Sequence, residues 1–249
     1  MDGTIFDKRL RELALRASHR DEATFTHFLD LTQAQTALAA AREAGVLIAS
    51  NGGYADAERR VAAFYRGEAP RDDEWPICPV RISWRPQFGS PGHRDILGAL
   101  MGLGFERERI GDIVLDTACA WLFAEREMAS YIVSALESAG RVSVTCGIAE
   151  GVPALPEPAG RHVRDTVPSL RLDALVAAGF NLSRSEASRV IAQGRVYLNQ
   201  AQSMHPDASV PEGALVSLRG SGRFRLVRVE GETRKGRCGV RLFLYGDGK

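Results

Sequence analysis

The sequence predicts an α+β protein of three modules, and three observations predict it. Apolar residues recur at helical spacing through the first third of the chain, with a short strand among them. The middle third orders its elements as β-α-β-β-α-β. The last third sets two short helices, each closed by a glycine, ahead of a series of alternating strands. A chain of 249 residues is long enough for two or three small cores.

The first module, 1–75, is expected to be mostly helical. Phe6, Leu10, Leu13 and Ala17 mark a helix face, and Thr32 can cap a second helix from Gln33 to Ala44 that Gly45 ends. A strand from Val46 to Ala49 leads into Asn51-Gly52-Gly53-Tyr54, where glycine permits positive φ, and a further helix is predicted around Glu58-Arg59-Arg60. The polar run from Gly67 to Glu74 is a plausible boundary.

In the second module, 76–147, Ile77 to Trp84 alternates as a strand and Asp95 to Leu103 reads as a helix with Gly104 behind it. Asp112 to Leu115 and Cys119 to Phe123 are two more strands, Glu125 to Leu136 a helix, and Arg141 to Cys146 a last strand. This is the order of a ferredoxin-like sandwich, the plan of RNA-recognition-motif domains. The basic-glycine-aromatic signature of those domains is missing from Cys119-Ala120-Trp121-Leu122-Phe123, so core packing is the expected role of Trp121 and Phe123, with RNA stacking as the alternative. Residues 148–168, with Pro153, Pro156, Pro158 and Pro168, read as a linker that includes a short strand at Arg161 to Val167.

In the third module, 169–249, Ser169 can cap a helix that turns Leu172, Leu175 and Val176 inward and ends near Gly179. Ser183-Arg184-Ser185-Glu186 is a capping box for a second helix, Arg184 to Gln193. On that helix Ala187, Val190 and Ile191 share one arc, while Arg184, Ser185, Ser188, Arg189 and Gln193 share the other. Strands follow at Arg195 to Asn199, Ala214 to Leu218, Arg223 to Val229 and Gly239 to Tyr245.

Composition narrows the function. A hydrophobic content of 45% and a charged content of 25% describe an ordinary globular protein. No apolar run reaches the length of a membrane span, and Met1-Asp2-Gly3 does not begin a secretory signal, so a cytoplasmic protein without a membrane partner is expected. Cys78, Cys119, Cys146 and Cys238 form no Cys-x-x-Cys pair, and His19, His27, His162 and His205 have no metal-ligand spacing, so free thiols and no metal or cofactor are expected.

The net charge of +1 hides an asymmetry. Residues 164–249 hold 14 Lys+Arg against 8 Asp+Glu, and twelve of the cations are arginine, whereas 1–163 are net acidic. Guanidinium forks bind phosphate oxygens in pairs, so this concentration points to nucleic acid. No catalytic constellation competes with it. Gly98-x-x-x-Gly102-x-Gly104 lies in and after a helix, where it cannot cradle phosphate. His93-Arg94-Asp95 lacks the partners of a kinase triplet, and Ser90, His93 and Asp95 are too close in sequence to form a relay. Asp95 suits a helix start, and His93 and Arg94 remain as a possible secondary RNA or protein contact.

Arg171-Leu172-Asp173, Ser183-Arg184-Ser185-Glu186-Ala187, Ile191-Ala192-Gln193-Gly194-Arg195-Val196 and Leu198-Asn199, continued by Gly213 and Arg219-Gly220-x-Gly222-Arg223-Phe224, resemble the S4 RNA-binding domain. Gln200 departs from the glycine that many members carry after the asparagine, which touches only the turn type. Phe28-Leu29-Asp30, Gly52-Gly53-Tyr54-x-x-Ala57-Glu58-Arg59-Arg60, His93 to Leu100 and Gly111-Asp112-Ile113 are similar to the YlmH-type bacterial proteins, which end in an S4 domain.

The resemblance implies a non-catalytic, ribosome-associated factor that acts with tRNA on stalled large subunits, as a monomer without DNA specificity. It implies contacts to rRNA or tRNA phosphates from Arg171, Arg184, Arg189 and Arg195. Ser183, Ser185 and Gln193 would add hydrogen bonds, with Arg219 and Arg223 on the adjoining loop. Two other classes stay open: an RNA-modifying enzyme that uses the S4 domain to hold substrate, and an interaction scaffold linked to cell division.

Overall fold

The computed structural model describes residues 3–20, 22–151, 155–156, 160–233 and 236–246. The chain divides into two compact units, 1–156 and 157–249.

The first unit begins with α1 (Gly3–His19), β1 (Thr24–Leu29), α2 (Leu31–Ala44), β2 (Leu47–Asn51) and β3 (Arg60–Tyr65). The three strands form an antiparallel sheet in the order β1-β3-β2. Leu10, Ala14 and Ala17 of α1 and Ala37, Ala40 and Ala41 of α2 pack with Ala62 and Phe64. The expected helix around Glu58-Arg59-Arg60 is therefore a correction. The apolar run Val61 to Phe64 is buried on both sides of a central strand, so it shows no helical periodicity to lose. A second correction concerns the start of α2. Asp30, not Thr32, is the cap: its carboxylate accepts the amides of Thr32 (2.9 Å) and Gln33 (2.8 Å), and the Gln33 side chain accepts the Asp30 amide. Gly45 closes the helix in the left-handed region, as its sequence predicts.

The chain continues through β4 (Ile77–Ser83), α3 (His93–Gly102), β5 (Ile110–Leu115), β6 (Cys119–Glu125), α4 (Arg126–Ala135), a small hairpin of β7 (Ser138–Ala139) and β8 (Val142–Ser143), and β9 (Thr145–Ile148). The four-stranded sheet runs β5-β6-β4-β9 with every neighbouring pair antiparallel, the ferredoxin-like arrangement. The predicted last strand is divided. Val142 and Ser143 turn back on Ser138 and Ala139, and the strand that joins the main sheet begins at Thr145.

One sheet face carries α3 and α4 over Val80, Ile82 and Leu122. The other face is also covered, since Phe123 and Ile77 pack with Phe28, Val61, Ala63 and Trp75 from outside the sheet. The two modules read from the sequence thus share a core. The motif glycines make the approach possible: a Cβ on Gly53 would lie 2.3 Å from the Phe123 ring, and one on Gly111 would lie 2.6 Å from the Phe28 ring. Asp112 ties the same junction. Its carboxylate accepts the Tyr54 hydroxyl (2.9 Å) and the amides of Glu58 (2.6 Å) and Arg59 (3.2 Å). Arg59 donates to the carbonyls of Phe28 and Ile110, and burial lowers its pKa against the pull of Asp30 and Asp112. Among the described residues no helix is long and apolar enough to cross a membrane, and the four cysteines are free thiols.

The second unit comprises β10 (Gly160–Val167), α5 (Leu172–Phe180), α6 (Arg184–Ala192), β11 (Val196–Leu198), β12 (Ala201–Ser203), β13 (Leu215–Leu218), β14 (Gly222–Glu232) and β15 (Cys238–Tyr245). They form a six-stranded antiparallel sheet, β10-β15-β14-β13-β11-β12, with α5 and α6 against one face. The short strand expected at Arg161 to Val167 is present as Gly160–Val167 and pairs with β15 along its whole length, which shortens the linker read over 148–168. Pro153 and Pro158 lie outside the described residues. Asn199 (φ +48°) and Gln200 (φ +69°) both adopt left-handed backbone, so the tight β11–β12 turn survives without glycine. The Asn199 side chain also accepts the Leu215 amide at 2.9 Å.

Candidate nucleic-acid interface

The exposed arc of α6 is the part of the second unit with the highest density of predicted contacts. Ala187, Val190 and Ile191 are buried against α5 and the sheet, which leaves Arg184, Ser185, Arg189 and Gln193 exposed on the opposite arc. Ser183 caps the helix. Its Oγ accepts the Glu186 amide (3.2 Å), donates to the Glu186 carboxylate (2.7 Å) and stands 3.1 Å from the Ser185 Oγ. These bonds from Ser183 hold the Glu186 carboxyl below its ordinary pKa. The predicted capping box is present, and it shows that the Ser183 hydroxyl already has a structural duty.

At the start of α5 the sequence expectation needs correction. Ser169 is not the cap; Arg171 occupies that position without a side-chain cap. The first amides find partners in a neighbouring segment instead, Leu172 on the Ala208 carbonyl (2.8 Å) and Asp173 on that of Pro206 (2.9 Å). Asp173, with a side chain only 6% exposed, is the organising residue that the sequence reading missed. It accepts both edges of Arg171 at 3.3 Å and Arg184 Nη2 at 2.6 Å, so one carboxylate from α5 orients guanidiniums from two elements. Both arginines keep nearly half their side-chain surface exposed, 47% and 46%. Burial pushes the Asp173 carboxyl up, but the hydrogen bonds from Arg171 and Arg184 outweigh it and leave the pKa below its ordinary value.

That depression has a pH signature. The stabilisation is fully present above the unfolded pKa of about 3.9 and is lost as pH falls through the lower folded value. Thermal unfolding followed from pH ~5 down to pH ~2 should therefore show an acid-side loss in the wild type that Asp173→Asn reduces. Identical slopes in the two proteins would contradict a charged Asp173 clamp.

Arg195 and Arg219 meet at the next turn, where Arg195 Nη2 donates to the Arg219 carbonyl (2.9 Å) and the Arg219 amide to the Arg195 carbonyl (3.0 Å). This exchange holds the β13–β14 turn beside the end of α6, and both side chains remain exposed. Arg223 is not part of that group. It lies in β14 rather than in a loop, next to Phe224, which points into the helix-side core, so Arg223 belongs to the other face of the sheet. His93 and Arg94 are exposed in the first turn of α3, where Asp95 accepts the Gly92 amide (2.8 Å). Among the described residues no group of three or more His, Cys, Asp or Glu side chains is arranged to hold a metal ion. The chemistry available on the α6 arc is charge-assisted hydrogen bonding to an anionic backbone.

Comparison with known proteins identifies the domains that carry these residues. Residues 70–150 match the family described as "Putative RNA-binding domain in YlmH", and residues 170–202 match the S4 domain. The chain is 33% identical over 216 residues, 84% of its own length and 82% of the relative's, to ribosome-associated protein quality control protein P2 of Bacillus subtilis. Among solved structures, the cell division protein ylmH of Streptococcus pneumoniae shares the fold with a TM-score of 0.52 at 18% identity, covering 60% of this chain and 92% of that one.

Proposed function

Because the chain belongs to the YlmH-type family of RNA-binding proteins with a C-terminal S4 domain, we propose that it binds structured RNA of the ribosome and serves the rescue of stalled large subunits. The observation that carries this reading is the Asp173 clamp, which holds Arg171 and Arg184 with half their surface outward beside the exposed arc of α6. Rigid, half-exposed guanidiniums recognise phosphate geometry at a low entropic cost. The reading assigns Arg171, Arg184, Arg189, Arg195 and Arg219 to rRNA or tRNA phosphates, with Ser185 and Gln193 as hydrogen-bonding neighbours. His93 and Arg94 are assigned a secondary contact from the first unit. It makes the protein a cytoplasmic, monomeric binding factor, with positioning of RNA and not bond chemistry as its work.

Co-sedimentation with separated ribosomal subunits at two salt concentrations tests the proposal. The protein should pellet with the large subunit and be released as salt rises, because phosphate contacts displace counterions. Sedimentation with neither subunit, or retention that survives both salt and RNase, would sink it.

A further inference from the structure

The face of the second unit's sheet turned away from α5 and α6 holds a row of rings among arginines. Phe224, Leu226, Val240 and Leu242 fill the helix-side core, so their strand neighbours project to the other side. The register pairs His162 with Phe243 and Arg164 with Arg241 across β10 and β15, and Arg225 with Phe243 across β15 and β14. The His162 and Phe243 rings lie 5.0 Å apart edge-on, and Phe243 and Tyr245 likewise 5.0 Å. Arg223 stands over the Tyr245 ring at 4.4 Å, and Arg225 Nε donates to the Tyr245 hydroxyl at 3.1 Å. His162 is exposed, and Phe243, Tyr245, Arg223 and Arg225 are partly exposed.

Positive charge predominates on this face: Arg164, Arg223, Arg225, Arg228 and Arg241 lie on it, and the Glu230 carboxylate pairs with Arg164 (3.3 Å) and Arg241 (2.5 Å) at the end of β14 away from Tyr245. At the end of the ring row, Tyr245 and Arg223 also border a hollow of about 480 Å³ that opens around the end of α5, lined there by Phe180, Asn181 and Leu182, and so lies at the edge of this face and not on it. The α6 arc, by contrast, has arginines and hydroxyls but no aromatic ring.

We propose that this sheet face is a second RNA surface, a stacking platform for a single-stranded segment, distinct from the α6 arc. It rests on the reading of the unit as an RNA binder and adds a different substrate class to it. Rings on adjacent strands with guanidiniums between them suit unpaired bases, which expose their π faces, while the arginines follow the backbone. A duplex hides those faces and would gain only the charge term. An acidic peptide would answer the arginines and leave the rings without a role. The ferredoxin-like sheet of the first unit cannot serve in this way at Phe123, because that ring is fully buried under the Phe28 cluster and stacked on Tyr54 at 5.0 Å.

The test uses the full chain and two probes, a single-stranded oligouridine of about twelve nucleotides and a blunt RNA hairpin, with binding read by fluorescence anisotropy. Replacing Phe243→Leu and Tyr245→Leu together should weaken the oligonucleotide about tenfold and leave the hairpin unchanged, the latter also certifying the fold. Arg184→Ala with Arg189→Ala should do the reverse. Photocrosslinking of a 4-thiouridine oligonucleotide to the wild type should mark peptides containing His162, Phe243 or Tyr245, which decides the matter even where the ring variant does not fold. The platform is overturned if the wild type does not bind the oligonucleotide, if the ring variant binds it normally, or if crosslinks fall only on α5 and α6. An unchanged hairpin affinity in the α6 variant counts against that arc alone, because the platform is judged by the oligonucleotide.

Discussion

Replacing Arg184 and Arg189 together by alanine should weaken binding to structured ribosomal RNA by about 2 kcal/mol, roughly thirtyfold. It should also lower the slope of log affinity against log salt by about 2, one for each lost phosphate contact. Arg184 is the richer of the two positions, because its guanidinium is fixed by Asp173 at 2.6 Å while its outer surface stays open. Arg184→Lys keeps the charge and loses the planar fork, so it should retain most of the salt slope and lose affinity. Arg189 has no such clamp, and its alanine variant isolates the charge term. Nitrocellulose or anisotropy titrations at three salt concentrations measure both quantities, and an unchanged affinity and slope would remove the α6 arc as the RNA surface. Ser183→Ala cannot substitute for this test, since it also removes a helix cap and costs about 1 kcal/mol of stability.

Gly53→Ala should strongly destabilise the first unit, by about 3 kcal/mol. Two effects combine: Gly53 has φ +90°, which an alanine adopts only with strain, and the added methyl would sit 2.3 Å from the Phe123 ring. Gly111→Ala introduces the same kind of clash, 2.6 Å from Phe28, without a positive φ, and should cost about 2 kcal/mol. Gly45→Ala is the complementary control, with φ +66° and nothing within 4 Å, and should cost about 1 kcal/mol. At about 2–4 °C per kcal/mol for a unit of this size, calorimetry separates the three. If Gly53→Ala melts like Gly45→Ala, the close approach of the loop to Phe123 is not what stabilises the junction.

Local signals were legible when the residues concerned are neighbours in the chain. The Ser183–Glu186 box, the buried arc of Ala187, Val190 and Ile191, and the Gly45 stop all depend on spacings of three or four residues. The β-α-β-β-α-β order was legible for the same reason. Arg60 to Tyr65 was not, because a strand buried on both faces has no alternation to display. Arg161 to Val167 was legible as a strand, but its pairing was not, because its partner strand lies some 80 residues away in sequence.

The sequence by itself determined the chemistry on offer: arginine concentrated in the last third, little that resembles catalysis, and the motif spacing of an S4 domain. Tertiary structure alone decided how that chemistry is divided. Asp173 and Arg184 are eleven residues apart on different helices, and only the packing of α5 on α6 brings them to 2.6 Å. Arg223 and Arg184, read as one group from the sequence, are separated because Arg223 alternates with the core residue Phe224 along β14, while Arg184 lies on the exposed arc of α6. Gly53 read as a turn former and Gly111 only as part of a family motif, yet their missing side chains matter because aromatic rings from distant elements occupy the space. Spacing along the chain specifies local geometry, whereas register and packing specify which charges share a surface.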